Sequence, residues 1–288
     1  MTNVATVTLK NGVEMPMEGF GVYQINNRKC KQVVLQALET GYRLLDTAQA
    51  YHNERAVGEA IIESDVKRED IFLTTKVDFT NSGYEQTKAS LFESLNKLQV
   101  DYIDLVIMHQ AYGDYYGGYR ALEEFYKEGK IRAIGVSNFF PDRLIDLATF
   151  ADIVPMVNQV ESHVFYQQPE ARQIMQQYGV QMEAWGPLAQ GKNNLFHHPT
   201  LTRIGQKYGK SVAQVALRFL LQENIVIIPK TTHVERMQEN FDVWDFTLSK
   251  EDMNEIETLD TGKSLFFDHR APETVEWLMD MYRYRFLN

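Results

Sequence analysis

The feature that most constrains this chain is a repeated alternation of two textures. Short apolar runs fall at 20–23, 42–48, 71–77, 104–109, 131–138, 157–161, 180–186 and 225–230. Amphipathic stretches such as "YEQTKASLFESLNKLQV", "YRALEEFYKEGK" and "SVAQVALRFLLQEN" lie between them. In the first of these, Leu91, Leu95 and Leu98 recur at i, i+4 and i+7, which puts them on one helical face. Strands that are apolar on both faces and separated by helices belong to parallel sheets. Eight such units in 288 residues predict a closed (β/α)8 barrel, the TIM barrel. Ahead of the first unit, "VATVTLKNGVEMPMEGFGVY" alternates and turns at Asn11-Gly12, a hairpin signal. That hairpin is expected to plug the bottom of the barrel. The tail from Ser249 adds a further helix and a loop. No Pro/Gly-rich linker or shift in composition divides the chain, so residues 1–288 are expected to form one domain.

Composition narrows the partners. A formal charge of −10 repels nucleic acid and anionic membrane, so neither is expected as a partner. The single cysteine, Cys30, cannot form an internal disulfide, and in a helix expected over 28–40 it has no patterned ligand beside it. No metal site is expected. The opening "MTNVATVTLK" lacks a basic and apolar leader, and no apolar run approaches membrane-spanning length. A cytoplasmic location is the expectation.

Chemistry in a barrel of this kind gathers at the C-terminal ends of the strands. The second run ends at Asp46, the third at Lys76 ("IFLTTKV") and the fourth at His109 ("DLVIMHQ"). Tyr51 follows Asp46 by five residues, just before helical character over 52–62. A free tyrosine, with a pKa of about 10, is a poor acid near neutrality. An ammonium group beside it stabilises phenolate, so Lys76 is expected to lower that value. A carboxylate keeps such a lysine charged in a partly dry site, and Asp46 fits that role. His109 suits orienting a carbonyl oxygen or joining a proton relay to Tyr51. Each residue alone has a structural use: a cap, a packed aromatic, a solvated cation, a core histidine. The four together at ends of consecutive strands describe a proton donor aimed at an oxygen that gains charge.

The sequence resembles the aldo-keto reductase family, and within it the bacterial diketo-gluconate and methylglyoxal-type reductases. The resemblance rests on "GYRLLDTAQAYHNERAVGEAI", "LTTKV", "DLVIMH", "IGVSNF", "VNQVE", "WGPLAQG" and "IIPKTTHVERMQEN", in order, from about Val7 to the end. It implies reduction of aldehydes and ketones with NADPH, with Asp46, Tyr51, Lys76 and His109 as the catalytic tetrad. It also implies that Ser137, Asn138 and Gln159 hold the nicotinamide carboxamide.

No G-x-G-x-x-G follows a strand, so a dinucleotide would lie across the barrel mouth. Trp185 is placed to stack on the nicotinamide. The loop "GPLAQGK" offers glycine backbone to a pyrophosphate, with Gly186, Leu188, Gln190 and Gly191 at the matching positions. Thr232 and Glu235 make a capping-box pattern at an expected helix start. Lys230, Thr231 and Arg236 gather there, two cations and a hydroxyl suited to a 2′-phosphate. The resemblance assigns Glu239 and Asn240 to the adenine.

On the substrate side, Tyr23 and the tail aromatics Phe266, Phe267 and Trp277 are expected at the pocket. The family commonly has Leu-Trp after the lysine and Trp-Pro after the histidine. Here Val77-Asp78 and Gln110-Ala111 stand instead. Asp78 and Gln110 thus predict a more open or polar pocket and a small polar or α-oxo carbonyl substrate. Two other functions remain compatible with the pattern: a Schiff-base aldolase using Lys76, and an NADPH-binding regulatory or sensor subunit. A monomer is expected.

Overall fold

The computed structural model describes residues 5–287, with side chains through residue 284. An N-terminal hairpin, β1 (Thr6–Thr8) and β2 (Glu14–Pro16), pairs Thr6 with Pro16 and Thr8 with Glu14. The turn closes through Leu9 and Val13, with Gly12 at φ 84°, a left-handed position that glycine adopts freely. Asn11 donates to Arg132 O at 2.9 Å and Lys10 to Tyr178 O at 3.3 Å. Arg132 lies at the start of the strand Ile131–Ser137 and Tyr178 just ahead of the strand Gln181–Trp185, so the hairpin lies beneath the barrel.

The barrel strands follow as β3 (Gly19–Gly21), β4 (Leu44–Asp46), β5 (Phe72–Val77), β6 (Ile103–Met108), β7 (Ile131–Ser137), β8 (Val157–Glu161), β9 (Gln181–Trp185) and β10 (Val226–Ile227). All neighbours are parallel and in sequential order. A parallel bridge between Glu18 and Ile227 joins the last strand to the first. The expected (β/α)8 barrel is therefore present. Its first and last strands are shorter than the apolar runs around them. Pro229 lacks an N–H and cannot continue the ladder, although its carbonyl still accepts from Gly21 N at 3.1 Å.

Outside the strands run α1 (Asn27–Thr40), α2 (Glu54–Glu63), α3 (Tyr84–Leu98), α4 (Tyr115–Lys127), α5 (Pro141–Phe150), α6 (Pro169–Tyr178), α7 (Pro199–Tyr208), α8 (Val212–Gln222), α9 (Val234–Phe241), α10 (Lys250–Glu257) and α11 (Pro272–Leu287). Among the described residues, none of these is long and apolar enough to cross a membrane. Helix α1 starts where the Asn26 side chain accepts from Lys29 N. It stops at Gly41, where φ is 125° and an added Cβ would meet the Phe241 ring at 2.9 Å. On α3, Leu91 and Leu98 are buried and Leu95 is partly so, as the helical spacing requires. Truncating either buried leucine to alanine is expected to cost about 2–5 kcal/mol. Cys30 is buried on α1, and burial pushes its thiol up to about 12, which makes it an inert core residue.

One local signal resolves differently from its reading. The capping box expected at Thr232–Glu235 does not form. Helix α9 begins at Val234, and His233 before it makes no side-chain cap bond. A complete box occurs instead at Ser211 and Gln214, at the start of α8. The Ser-x-x-Gln spacing there meets a chain that enters in extended conformation, with Ser211 at φ −74° and ψ 165°.

Candidate active site

The C-terminal ends of the strands open into a cleft of about 980 Å³. Asp46 closes β4, and Lys76 stands near the end of β5, so the neighbouring strands bring the two side chains together. Lys76 Nζ donates to Asp46 Oδ1 at 2.5 Å and to Thr47 O at 3.0 Å. Lys76 has no solvent contact and Asp46 is 2% exposed. Burial pulls the Lys76 ammonium down. Asp46, Tyr51 and Glu183 outweigh that pull, and the net shift is upward. The lysine is therefore held charged.

Tyr51 ends a short 3-10 turn, Gln49–Tyr51. Two polar side chains beside it fix that turn. Gln49 donates to Ser90 Oγ and Ser94 Oγ on α3, both at 3.1 Å, and accepts from Asp78 N at 3.0 Å. Asn53 donates to Val22 O at 3.0 Å and Ile25 O at 3.2 Å, and accepts from Thr47 Oγ1 at 2.8 Å. The tyrosine ring so held sits over Lys76, whose Nζ is 5.0 Å from the ring centroid. His109 follows β6 and meets Tyr51 edge-on, with centroids 5.8 Å apart at 76°. The four residues of the expected tetrad thus come together at one end of the cleft. Asp46, Tyr51 and His109 line it, and Lys76 supports them from behind.

The protonation states refine the expectation. Burial pushes the Tyr51 phenol up; Lys76 opposes this and Asp46 adds to it, for a net value of about 12. The expected net lowering is therefore not found. The ammonium acts in the expected direction, but desolvation is larger. His109 is driven the other way, to about 3, first by burial and then by Lys76 and His269. Its imidazole is neutral at physiological pH.

A second layer lies behind these groups. Gln159 Nε2 donates to Asp46 Oδ2 and to Glu183 Oε2, each at 2.9 Å. Burial raises Glu183 to about 8, with the Asp46 charge adding to the rise. Sequence reading passed over Glu183, Gln49 and Asn53. Each is a polar residue inside an apolar or helical pattern, and only the folded neighbours reveal its partners.

Ser137, Asn138, Gln159 and Trp185 all line the cleft. Their polar atoms are largely engaged with one another. Ser137 Oγ donates to Gln159 O at 2.8 Å, and Asn138 Nδ2 donates to His109 O at 3.2 Å and Ser137 Oγ at 3.1 Å. Trp185 Nε1 donates to Asn138 Oδ1 at 2.8 Å, which sets the indole's angle at the cleft wall. Asn138 itself sits at φ 60°.

Gly186, Leu188 and Gln190, after β9, and Ile228, Pro229 and Lys230, after β10, also line the cleft. Gly191 follows at φ 75°, just off the cleft. Thr231, Thr232, Arg236, Glu239 and Asn240 also lie outside the cleft lining. Thr231 is buried, and its Oγ1 accepts from His233 N at 3.2 Å; Asn240 is buried on α9. Lys230, Thr232 and Arg236 are exposed around the start of α9. Neither cation makes an ion pair among the described residues.

At the open end, Tyr23 is half exposed and packs on Tyr51 with centroids 5.0 Å apart. Asp78 and Gln110 both line the cleft. Asp78 is buried, and its Oδ1 accepts from Thr80 N at 3.0 Å. Gln110 Oε1 is buried and has no hydrogen-bond partner among the described residues. An aromatic wall survives one position on: Phe79 lines the cleft and meets Tyr112 edge-on. Phe266, Phe267 and Trp277 from the tail close the remaining side, as expected.

Comparison with known proteins places this geometry. Residues 17–261 match the model of the Aldo/keto reductase family. The chain is 49% identical to the glyoxal reductase of Bacillus subtilis over 256 residues, covering 88% of this chain and 92% of that protein. Among solved structures it resembles an aldo-keto reductase from a Medee basin deep-sea metagenome library. The TM-score is 0.90 at 42% identity, over 92% of this chain and 98% of that one. It also resembles the Bombyx mori aldo-keto reductase in complex with NADP, with TM-score 0.87 at 29% identity, over 93% and 96% of the two chains. The fold and site define a carbonyl-reducing oxidoreductase. The chain belongs to the aldo/keto reductase family.

Proposed function

We propose that the protein reduces small carbonyl compounds, with 1,2-dicarbonyls of the glyoxal type as the favoured class, using NADPH as reductant and Tyr51 as proton donor. The observation that carries this reading is the buried Lys76–Asp46 pair beneath Tyr51, with His109 across the same cleft. The relative named for glyoxal reduction supports the substrate class, and the polar Asp78 and Gln110 at the cleft agree with it.

The residues present fit a dinucleotide. The cleft runs from Tyr51 and His109 past Trp185 to Lys230. At that end the exposed cations Lys230, in the cleft lining, and Arg236, outside it, flank a helix start, where backbone N–H groups favour an anion. Ser137, Asn138, Gln159 and Trp185 would hold the nicotinamide end. Gly186, Leu188, Gln190 and Gly191 would follow the pyrophosphate. Lys230, Thr231, Thr232 and Arg236 would take the 2′-phosphate, and Glu239 and Asn240 the adenine. NADPH, when bound, supplies the hydride that reaches the carbonyl carbon.

The side chains do the rest. Neutral His109 donates a hydrogen bond to the carbonyl oxygen and orients it. The Tyr51 phenol, protonated throughout the neutral range, donates to the same oxygen. As the C=O bond gives up its π pair, that oxygen becomes an alkoxide, a stronger base than phenolate even with the phenol near 12. The proton therefore moves from Tyr51 Oη to the alkoxide. Lys76 stabilises the phenolate left behind, Asp46 keeps Lys76 charged, and solvent returns the proton to Tyr51.

A Schiff-base role for Lys76 fits poorly. Its amine is sealed behind the cleft and its charge is stabilised, whereas a nucleophilic amine must be neutral. The test is NADPH consumption with glyoxal, methylglyoxal and monocarbonyls of equal size. Turnover fastest on the dicarbonyls is expected. NADPH binding with no turnover on any carbonyl would point instead to a regulatory or sensor subunit.

A further inference from the structure

We propose that His269 is a specificity-determining residue that grips a second substrate oxygen, on the carbon next to the reacting carbonyl. This rests on the carbonyl-reductase reading above and deepens it.

His269 comes from the tail, far in sequence from the tetrad, yet it lines the same cleft as His109, Gln110 and Trp185. It also forms part of the wall of a second cavity, of about 320 Å³. Its residue is only 6% exposed. Aromatic neighbours fix the ring: Phe267 at 4.6 Å, Phe140 at 6.3 Å and Trp185 at 6.4 Å between centroids. The backbone is fixed as well, because Tyr112 Oη donates to His269 O at 2.5 Å.

Neither ring nitrogen has a hydrogen-bond partner among the described residues. The ring borders both the cleft and the second cavity, so a ligand or water there can complete its nitrogens. Burial draws the ring down to about 4, so at physiological pH it is neutral, with one donor and one acceptor. It also lies near enough to His109 to depress that ring further.

Two neutral imidazoles thus face one cleft, and only one is needed for a lone carbonyl. With His109 and Tyr51 on the reacting oxygen, His269 is left for an oxygen on the adjacent carbon. A donor there suits the second carbonyl of a 1,2-dicarbonyl. An acceptor suits the hydroxyl of a 2-hydroxycarbonyl. A group built to pair with that oxygen discriminates against substrates that lack it.

The test compares substrate pairs: methylglyoxal against propanal, and hydroxyacetone against acetone. His269→Phe keeps ring volume and removes both nitrogens, and His269→Gln returns an N–H and an oxygen. For His269→Phe, kcat/KM should fall about tenfold on methylglyoxal, the size of one lost hydrogen bond, and stay within about twofold on propanal. His269→Gln should recover part of the loss. NADPH affinity, read by quenching of tryptophan fluorescence, should be unchanged and confirms that both variants fold. A matching loss on hydroxyacetone shows that a hydroxyl on that carbon is gripped too; a loss on methylglyoxal alone confines the grip to a carbonyl oxygen. Equal losses on all four compounds, or none on either oxygenated one, would overturn the proposal. An inactive wild type would sink the parent reading and this one with it, whereas an active wild type with unshifted ratios sinks only this one.

Discussion

Lys76 Nζ and Asp46 Oδ1 lie 2.5 Å apart, and both side chains are sealed from solvent. Removing one partner strands the other charge in the barrel. Lys76→Met is therefore expected to destabilise the protein by about 3–5 kcal/mol in urea unfolding. The double variant Asp46→Leu, Lys76→Met should recover most of that loss and remain inactive. A double variant no more stable than the single one would show that the pair is not what the lysine supports.

Tyr51→Phe removes one oxygen and leaves the packing on Tyr23 and His109. Turnover should fall by about 10²–10⁴, the usual worth of a positioned proton donor, with NADPH affinity preserved. Retained activity would mean that another group supplies the proton.

The fold and the tetrad were legible for different reasons. The alternation of apolar runs with helical faces is a periodic signal, and periodicity survives without coordinates. Asp46, Lys76 and His109 were legible because each stands at or just beyond a strand end, where a barrel puts its chemistry. The sign of the Lys76 effect on Tyr51 was readable too, but its competition with burial was not. Desolvation depends on everything packed around the phenol, and no local spacing encodes that. His269 was hidden for a related reason: the tail returns to the cleft across the whole barrel, and no motif near His269 announces it. The capping box went astray because Thr-x-x-Glu is only a local permission, and the chain enters α9 one residue later, with His233 at the cap position.

Protonation of His109 sets a third expectation. Its imidazole is neutral above about 3, so it does not titrate in the usual histidine range. With saturating NADPH, kcat should be flat in this group from about pH 5 to pH 8. A wild-type limb near pH 6.5 that His109→Asn abolishes would show that the histidine works as an acid.

Arg236 and Lys230 are exposed and make no ion pair among the described residues, which leaves their charge for a phosphate. Arg236→Ala should raise KM for NADPH by about tenfold or more and change KM for NADH little, since charge-assisted phosphate contacts are worth about 1.5–3 kcal/mol. Equal effects on both cofactors would remove the arginine from the 2′-phosphate.

Glu18 offers a test of buried charge away from the chemistry. It is sealed at the seam where β3 meets β10, and Trp244 Nε1 donates to its Oε2 at 2.9 Å while Oε1 has no partner among the described residues. Burial raises its carboxyl from 4.5 to about 8, and the Trp244 bond opposes only part of that rise. Between those two values the folded protein keeps a proton that the unfolded chain has lost. Stability from this group is full below about pH 4.5, declines as pH rises, and is gone above about pH 8. Glu18→Gln keeps an oxygen for Trp244 and cannot ionise. The variant and the wild type should unfold alike near pH 5, and at pH 9 the variant should be more stable by about 1–3 kcal/mol. Glu183, also raised to about 8, gives the wild type a slope of the same sign, so the variant's slope should shrink without vanishing. The difference between the two unfolding curves isolates Glu18. If that difference stays constant from pH 5 to pH 9, the carboxyl is charged in the folded barrel and burial does not govern it.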